Sequence, residues 1–205
     1  GKRLGSLSIE NLKAEGYEDV SIINYLINIG SSEDIKPETI KDKILENFDI
    51  KNISTSSAKF SEVVLQSLNA DILKSYNFEQ VSKRINFINS DIDLEKLWIF
   101  SHNNIFFIKD IIFWSKIIGE IFDINEFDIP QDFIQTAVEN IPEEPFNYES
   151  WDIWTKSISE KTGLKGKNLF MPLRLILTGK DKGPELKNFL PLLDKKILLR
   201  KFGKT

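Results

Sequence analysis

Residues 165–186 read KGKNLFMPLRLILTGKDKGPEL, and the rest of the chain is arranged around them. Leu169, Leu173 and Ile176 recur at i, i+4 and i+7 with Phe170 and Leu177 beside them, which is the spacing of one buried helix face. Arg174 and Thr178 share the other face, so a single arginine is expected on display there. Gly179 is a natural terminator, since glycine takes the left-handed conformation without steric cost, and Pro184 a natural first residue of a following helix. The pattern predicts helix, lysine-rich turn, helix, with the first N–H groups of the second helix open to an outside acceptor. RNA could dock in such a place.

Charge points the same way. Residues 1–160 carry 15 Lys and Arg against 28 Asp and Glu, whereas residues 161–205 carry 12 against 3, within a net charge of −4. A basic end on an acidic protein steers a polyanion to one place, because lysine and arginine release counterions from phosphate while the acidic remainder repels it. A solvated, merely lysine-rich tail accounts for the composition equally well.

Composition sets independent bounds. A chain of 205 residues holds one large or two small domains, and 41% hydrophobic with 28% charged residues is ordinary for a soluble globular protein. No apolar run approaches the roughly 20 residues of a membrane span. The absence of cysteine excludes disulfides and thiolate zinc sites and fits a reducing cytoplasm, and His102 is the single histidine, so no histidine-rich metal site is expected. Carboxylate pairs such as Glu143-Glu144 and Asp91/Asp93 have no partner base, nucleophile or ligand set nearby in sequence, so they read as solvated surface.

From the start, Ser8 is a helix cap and Gly16 a stop; the next helix places Val20, Ile23, Leu26 and Ile27 on one face and ends at Gly30. Pro37 is expected to open a third helix carrying Ile40, Ile44 and Leu45, residues 52–58 form a polar loop, and Ser61 caps a helix through Val64, Leu65, Leu68 and Ile72. Phe78 to Ile88 is amphipathic, Leu94 to Phe100 helical, and Ile105 to Phe122 long enough to favour one buried helix over strands. Pro130 to Glu139 reads as a helix and the chain through Pro145 as loop. Phe146, Tyr148, Trp151 and Trp154 are able to stack bases, but the surrounding acidic residues would repel phosphate, so core packing is the better reading.

Several short motifs share one order and spacing. Met171-Pro172-Leu173-Arg174, Leu177-Thr178-Gly179, Gly183-Pro184-Glu185-Leu186 and Leu192-Leu193 resemble the closing segment of bacterial glutamyl-tRNA synthetases. Lys2-Arg3-Leu4-Gly5 with Ser8-Ile9 resembles the end of that family's KMSKS-type signature, written Lys-x-Ser-Lys-Arg, and the segment after it. Ala14-Glu15-Gly16-Tyr17, Tyr25-Leu26 with Ile29-Gly30, Phe48-Asp49, Lys59-Phe60 and Leu68-Asn69 sit at the family's spacings too. Gly1 stands where the signature has serine; a chain opening inside a motif is expected to have been cut there, with a Rossmann-type catalytic domain upstream.

The resemblance implies an all-α protein in two parts: a connective, stem-contacting helical domain over 1–76 and an anticodon-binding helical domain over 77–205. It implies that the intact enzyme activates glutamate with ATP and Mg²⁺ and transfers it to tRNA-Glu, with tRNA-Gln as a further candidate, acting as a cytoplasmic monomer. This fragment would position tRNA and be inactive alone. The residues implied to meet tRNA are Arg174, Thr178, Lys182, Gly183, Pro184, Leu186, Lys165, Lys167, His102 and Asn104, and Lys2 and Arg3 would remain from the catalytic loop. Asn104 falls where some members place an arginine that reads the third anticodon base; an asparagine both donates and accepts there, so it tolerates cytosine or guanine. A plain loop explains His102–Asn104 as well, and a helical protein-interaction module is the alternative from another class.

Overall fold

Ser8 accepts a hydrogen bond from the Asn11 amide at 3.2 Å, and Gly16, at φ +109°, closes the turn that follows. These two residues bound α1, Ile9–Glu15, as their types predict. The computed structural model describes residues 8–29, 31, 35–46, 48–53, 59–89 and 91–204. Gly30, most of the expected 52–58 loop, and Lys2 and Arg3 lie outside that range. Among the described residues there is no strand, so the all-α expectation holds. The chain forms two compact units: residues up to Ile85 with His102–Asp110, and Asn86–Ser101 with the residues from Ile111 onward. The first therefore runs past Tyr76 and takes back a segment from beyond residue 100.

In the first unit α2 (Asp19–Asn28) and α3 (Lys41–Glu46) precede α4 (Glu62–Ser75), which Ser61 caps as expected, and α5 (Phe78–Val81), opened by an Asn77/Gln80 capping box. Leu12, Tyr17, Ile22, Tyr25, Leu65, Leu68 and Ile72 form its core. The buried face of α2 is not the expected one: Ser21, Ile22, Asn24 and Tyr25 face inward and Leu26 is 43% exposed. Burying Ser21 and Asn24 is tolerable because each has a partner, Asn69 for the serine hydroxyl and the Lys36 carbonyl for the asparagine amide. Pro37 does not open α3, which starts four residues later. The Glu38 carboxylate instead accepts from the Thr39 and Ile40 amides, turning the chain just before the helix. Nor is Phe78 to Ile88 one helix. Val81, Ile85 and Ile88 are buried as the spacing predicts, but α5 passes into a 3₁₀ turn, Ser82–Arg84, and stops.

The second unit begins with α6 (Leu94–Ser101) and α7 (Ile111–Gly119). The expected single helix over 105–122 is shorter, because the Asp110 carboxylate accepts from the Phe106 and Phe107 amides at 2.9 Å and breaks the run before Ile111. Then come α8 (Gln131–Glu139), α9 (Tyr148–Thr162), α10 (Lys167–Thr178), α11 (Leu186–Phe189) and α12 (Lys195–Lys201). Helix α9 starts just after the loop read through Pro145, on an Asn147/Ser150 capping box. Its aromatics go mostly inward, as expected. Trp154 is fully buried and its indole N–H donates to the Ala137 carbonyl at 2.8 Å, tying α9 to α8; only Tyr148 of that run is exposed.

Candidate nucleic-acid interface

Helix α10 buries Leu169, Leu173, Ile176 and Leu177, the face read from its periodicity, while Phe170 points to solvent. Gly179, at φ +63°, ends the helix, its N–H donating to the Leu175 carbonyl at 2.8 Å. A Cβ on Gly179 would lie 2.5 Å from the Phe122 ring, and one on Gly183, at φ +146°, 2.6 Å from Trp114. Both glycines are thus required twice over, by backbone conformation and by an aromatic ring against the Cα. The lysine-rich turn between them is moulded on side chains that lie some sixty residues earlier.

Arg174 is not simply displayed. Its side chain is half-buried, Nη2 donates to the Pro184 carbonyl at 2.9 Å, and Nη1 is buried with no acceptor among the described residues. Burial holds its guanidinium below its ordinary pKa. Arg174 therefore clasps the far side of the turn to α10 and keeps one donor unfilled. Thr178 is buried as well. Its hydroxyl donates to the Arg174 carbonyl at 2.8 Å and accepts from the Lys180 amide at 3.3 Å, so it closes the helix end instead of facing outward.

Pro184 and Leu186 pack inside, and the second helix begins at Leu186 after Glu185, not at Pro184. It is one turn long. A single turn sums few peptide dipoles, so the anion-binding helix start expected from Gly183-Pro184 is absent. What reaches solvent around α10 is lysine: Lys165 and Lys167 before it, and Lys180 and Lys182 in the turn after it. Three other cations of the basic segment are engaged. Lys187 pairs with Asp152, and the Lys195 backbone N–H donates to Glu144 while its ammonium lies 3.9 Å from Glu143. Lys201 is buried, donating to the Ile117 and Glu120 carbonyls at 2.8 and 2.6 Å. That burial lowers its pKa to about 8, opposed by the nearby Glu120 charge.

His102 and Asn104 stand elsewhere, on a 3₁₀ turn of the first unit, with Asn104 exposed and His102 half-buried. The segment that follows them is held firmly. Asn69, fully buried on α4, donates to the Phe106 carbonyl at 2.6 Å while its oxygen accepts from the Glu18 amide and the Ser21 hydroxyl at 2.8 and 2.7 Å. Phe107 packs edge-on against Tyr17, and Lys109 donates to the Glu15 carbonyl. Glu18 takes two hydrogen bonds from Arg84, and burial, followed by the Glu18 charge, pushes Tyr76 up to about 12. The cavity of about 370 Å³ beside them is lined by charges already paired, Lys13 with Asp19 and Arg84 with Glu18. It offers no unpaired charge to a ligand.

The sequence assigned no role to Trp114, Phe122 and Arg84 and marked Asn69 only through the Leu68-Asn69 motif, because each acts on a partner far along the chain.

Residues 113–204 match the family described as "Anticodon binding domain". Over 197 residues the chain is 36% identical to "Glutamate--tRNA ligase 2" of Brucella melitensis biotype 1 and to "Glutamate--tRNA ligase 1" of Brucella ovis, spanning 94% of this chain and 43% of each relative. The crystal structure of a glutamate tRNA ligase from Elizabethkingia meningosepticum in complex with its amino acid superposes with a TM-score of 0.71 at 22% identity, covering 94% of this chain and 41% of that one. The Elizabethkingia anophelis glutamate-tRNA synthetase gives 0.70 at 21%. At those identities the structures speak for the fold alone. The resemblance read from the short motifs is thus borne out along nearly the whole chain, which spans less than half the length of the relatives it matches.

Proposed function

We propose that this chain, related over nearly its full length to glutamate–tRNA ligases, is the tRNA-binding part of such an enzyme, with a stem-contacting domain built on the first unit and an anticodon-binding domain built on the second. One observation carries the reading: Lys165, Lys167, Lys180 and Lys182 reach solvent at both ends of α10, inside the segment that matches the anticodon-binding family. They supply the sequence-independent attraction to phosphate. Arg174 supplies readout. Leaving the Pro184 carbonyl gives up a bond from a charged donor, about 1.5–3 kcal/mol, and a bidentate contact to a base edge, roughly 1–3 kcal/mol, offsets it while also filling the unpaired Nη1. Thr178, Gly183, Pro184 and Leu186 act by shaping the turn. His102 and Asn104 meet the RNA from the first unit.

In this reading the intact enzyme activates glutamate with ATP and Mg²⁺, charges tRNA-Glu, and works as a cytoplasmic monomer. The chemistry belongs to the remainder of that enzyme. Among the described residues no three His, Asp or Glu side chains come together to hold a metal ion, and no helix is long and apolar enough to cross a membrane. Lys2 and Arg3, which the resemblance places at the end of a catalytic loop, would act only together with a catalytic domain, so the chain alone is expected to give no glutamate-dependent ATP–pyrophosphate exchange.

Titration of the chain with tRNA-Glu at two salt concentrations tests the reading. A tRNA binder gives a log–log slope of several units, reflecting several phosphate contacts. Affinity that is flat in salt would favour a helical adaptor.

A further inference from the structure

Phe113 is 47% exposed on α7, between the exposed Ile112 and the buried Trp114. Its ring is held from one side by the edge of Trp114, with centroids 4.9 Å apart and planes at 77°. The Lys180 ammonium lies over the ring, 5.5 Å from its centroid. Lys116, one turn further along α7, is exposed, as is Lys182 in the same turn as Lys180. Gly183 packs on Trp114, so the lysine turn is fixed next to this ring and not merely drifting past it.

We propose that Phe113 is a stacking platform for one unpaired RNA base, placed beside the lysines that hold the flanking phosphates. This deepens the tRNA-binding reading and rests on it. A ring face that attracts a cation through its quadrupole also takes the flat face of a base, and every base has one. The lysine and the base then divide the nucleotide between them: the base lies on the ring, and Lys180 swings from the ring to the adjoining phosphate, where its charge meets a full negative charge instead of a quadrupole. An RNA segment, and not a protein helix, suits the patch because one aromatic ring under the Lys180 ammonium, with Lys116 exposed on the same helix and Lys182 in the same turn, offers little apolar area and much positive charge.

The test uses the whole chain and tRNA-Glu transcripts with 2-aminopurine substituted at each anticodon-loop position in turn, because stacking quenches that base's fluorescence. Wild type is expected to quench it at one position. Phe113→Leu keeps the apolar bulk but removes the flat ring; it should abolish that quenching and weaken binding about tenfold, while Phe113→Trp preserves both. Lys182→Ala separates the two ideas. If it weakens binding and Phe113→Leu changes neither affinity nor fluorescence, the platform is wrong and the tRNA reading stands. If wild type binds no tRNA, the reading falls and the platform with it. Unchanged helical circular dichroism in Phe113→Leu would show that the effect is local, and loss of helix would overturn the assignment in favour of a packing role.

Discussion

The Trp114 ring lies 2.6 Å from where a Cβ on Gly183 would be, so one indole dictates the residue type of a turn nearly seventy positions away. Gly183→Ala therefore has two costs, a backbone at φ +146° that L residues rarely adopt and a collision with a ring that is itself packed. Strain of this kind is worth roughly 1–3 kcal/mol. The expected outcome is a lower melting temperature together with weaker tRNA binding, and Trp114→Leu in the Gly183→Ala background should recover part of the binding. A variant that is as stable as wild type and binds tRNA as tightly would refute the moulding of the turn on Trp114.

Arg174→Ala is expected to weaken tRNA binding about tenfold, a loss of roughly 1–3 kcal/mol of base contact. Lys187→Ala should do much less, since Lys187 is already paired with Asp152 and has little charge to offer phosphate. Filter binding of both variants at one salt concentration decides it. Indistinguishable effects would remove the base-reading role of Arg174.

Asn69→Ala strips partners from three groups at once, the Glu18 amide, the Ser21 hydroxyl and the Phe106 carbonyl. A buried polar group left unpaired costs about 1–3 kcal/mol, so a loss of several kcal/mol is expected even if water recovers some of it. Urea unfolding measures this. Asn69→Asp should be milder at the amide and hydroxyl yet still lose the donor to Phe106, and equal effects of the two substitutions would argue against the two bonds that the Asn69 oxygen accepts.

Lys201 predicts a stability change with pH. Its folded pKa, about 8, is below the ordinary 10.5, so between those values the unfolded chain binds more protons than the folded one and stability rises with pH. Below pH 8 the buried charge costs the fold its full penalty, on the order of 3 kcal/mol before its two carbonyl contacts are considered. Chemical denaturation from pH 7.5 to 10 should show the rise in wild type and not in Lys201→Met. Above pH 10 Tyr76 acts in the opposite direction, because its folded pKa is raised and ionising it in the unfolded chain favours unfolding. No rise in wild type would mean that Lys201 stays charged in the fold.

Asn104 carries the last expectation, that the intact enzyme is weakly selective at the third anticodon base and glutamylates tRNA-Gln along with tRNA-Glu. Rejection needs a clash or an unpaired buried polar group, and an exposed amide that can rotate creates neither. The two tRNAs should differ in kcat/KM by under about tenfold, or 1.4 kcal/mol. Asn104→Arg should widen the gap. A wild-type preference of several hundredfold for tRNA-Glu would place discrimination elsewhere.

The sequence alone determined that the chain is helical and where several of its helices start or stop. Ser8, Ser61, Gly16, Gly179 and the i, i+4, i+7 run in α10 behave as read, because caps and apolar spacing act within one or two turns of backbone. It also carried the kinship, through motif order. What tertiary structure decided is where polar groups find partners. Ser21 faces inward because α4 brings Asn69 to it, and Arg174 turns toward Pro184 because Trp114 and Phe122 fix the intervening turn. Periodicity ranks residues by hydrophobicity and so assigns a serine or an arginine to the surface. A buried polar side chain is instead set by the acceptor that the fold delivers from elsewhere in the chain, and no local pattern contains that partner.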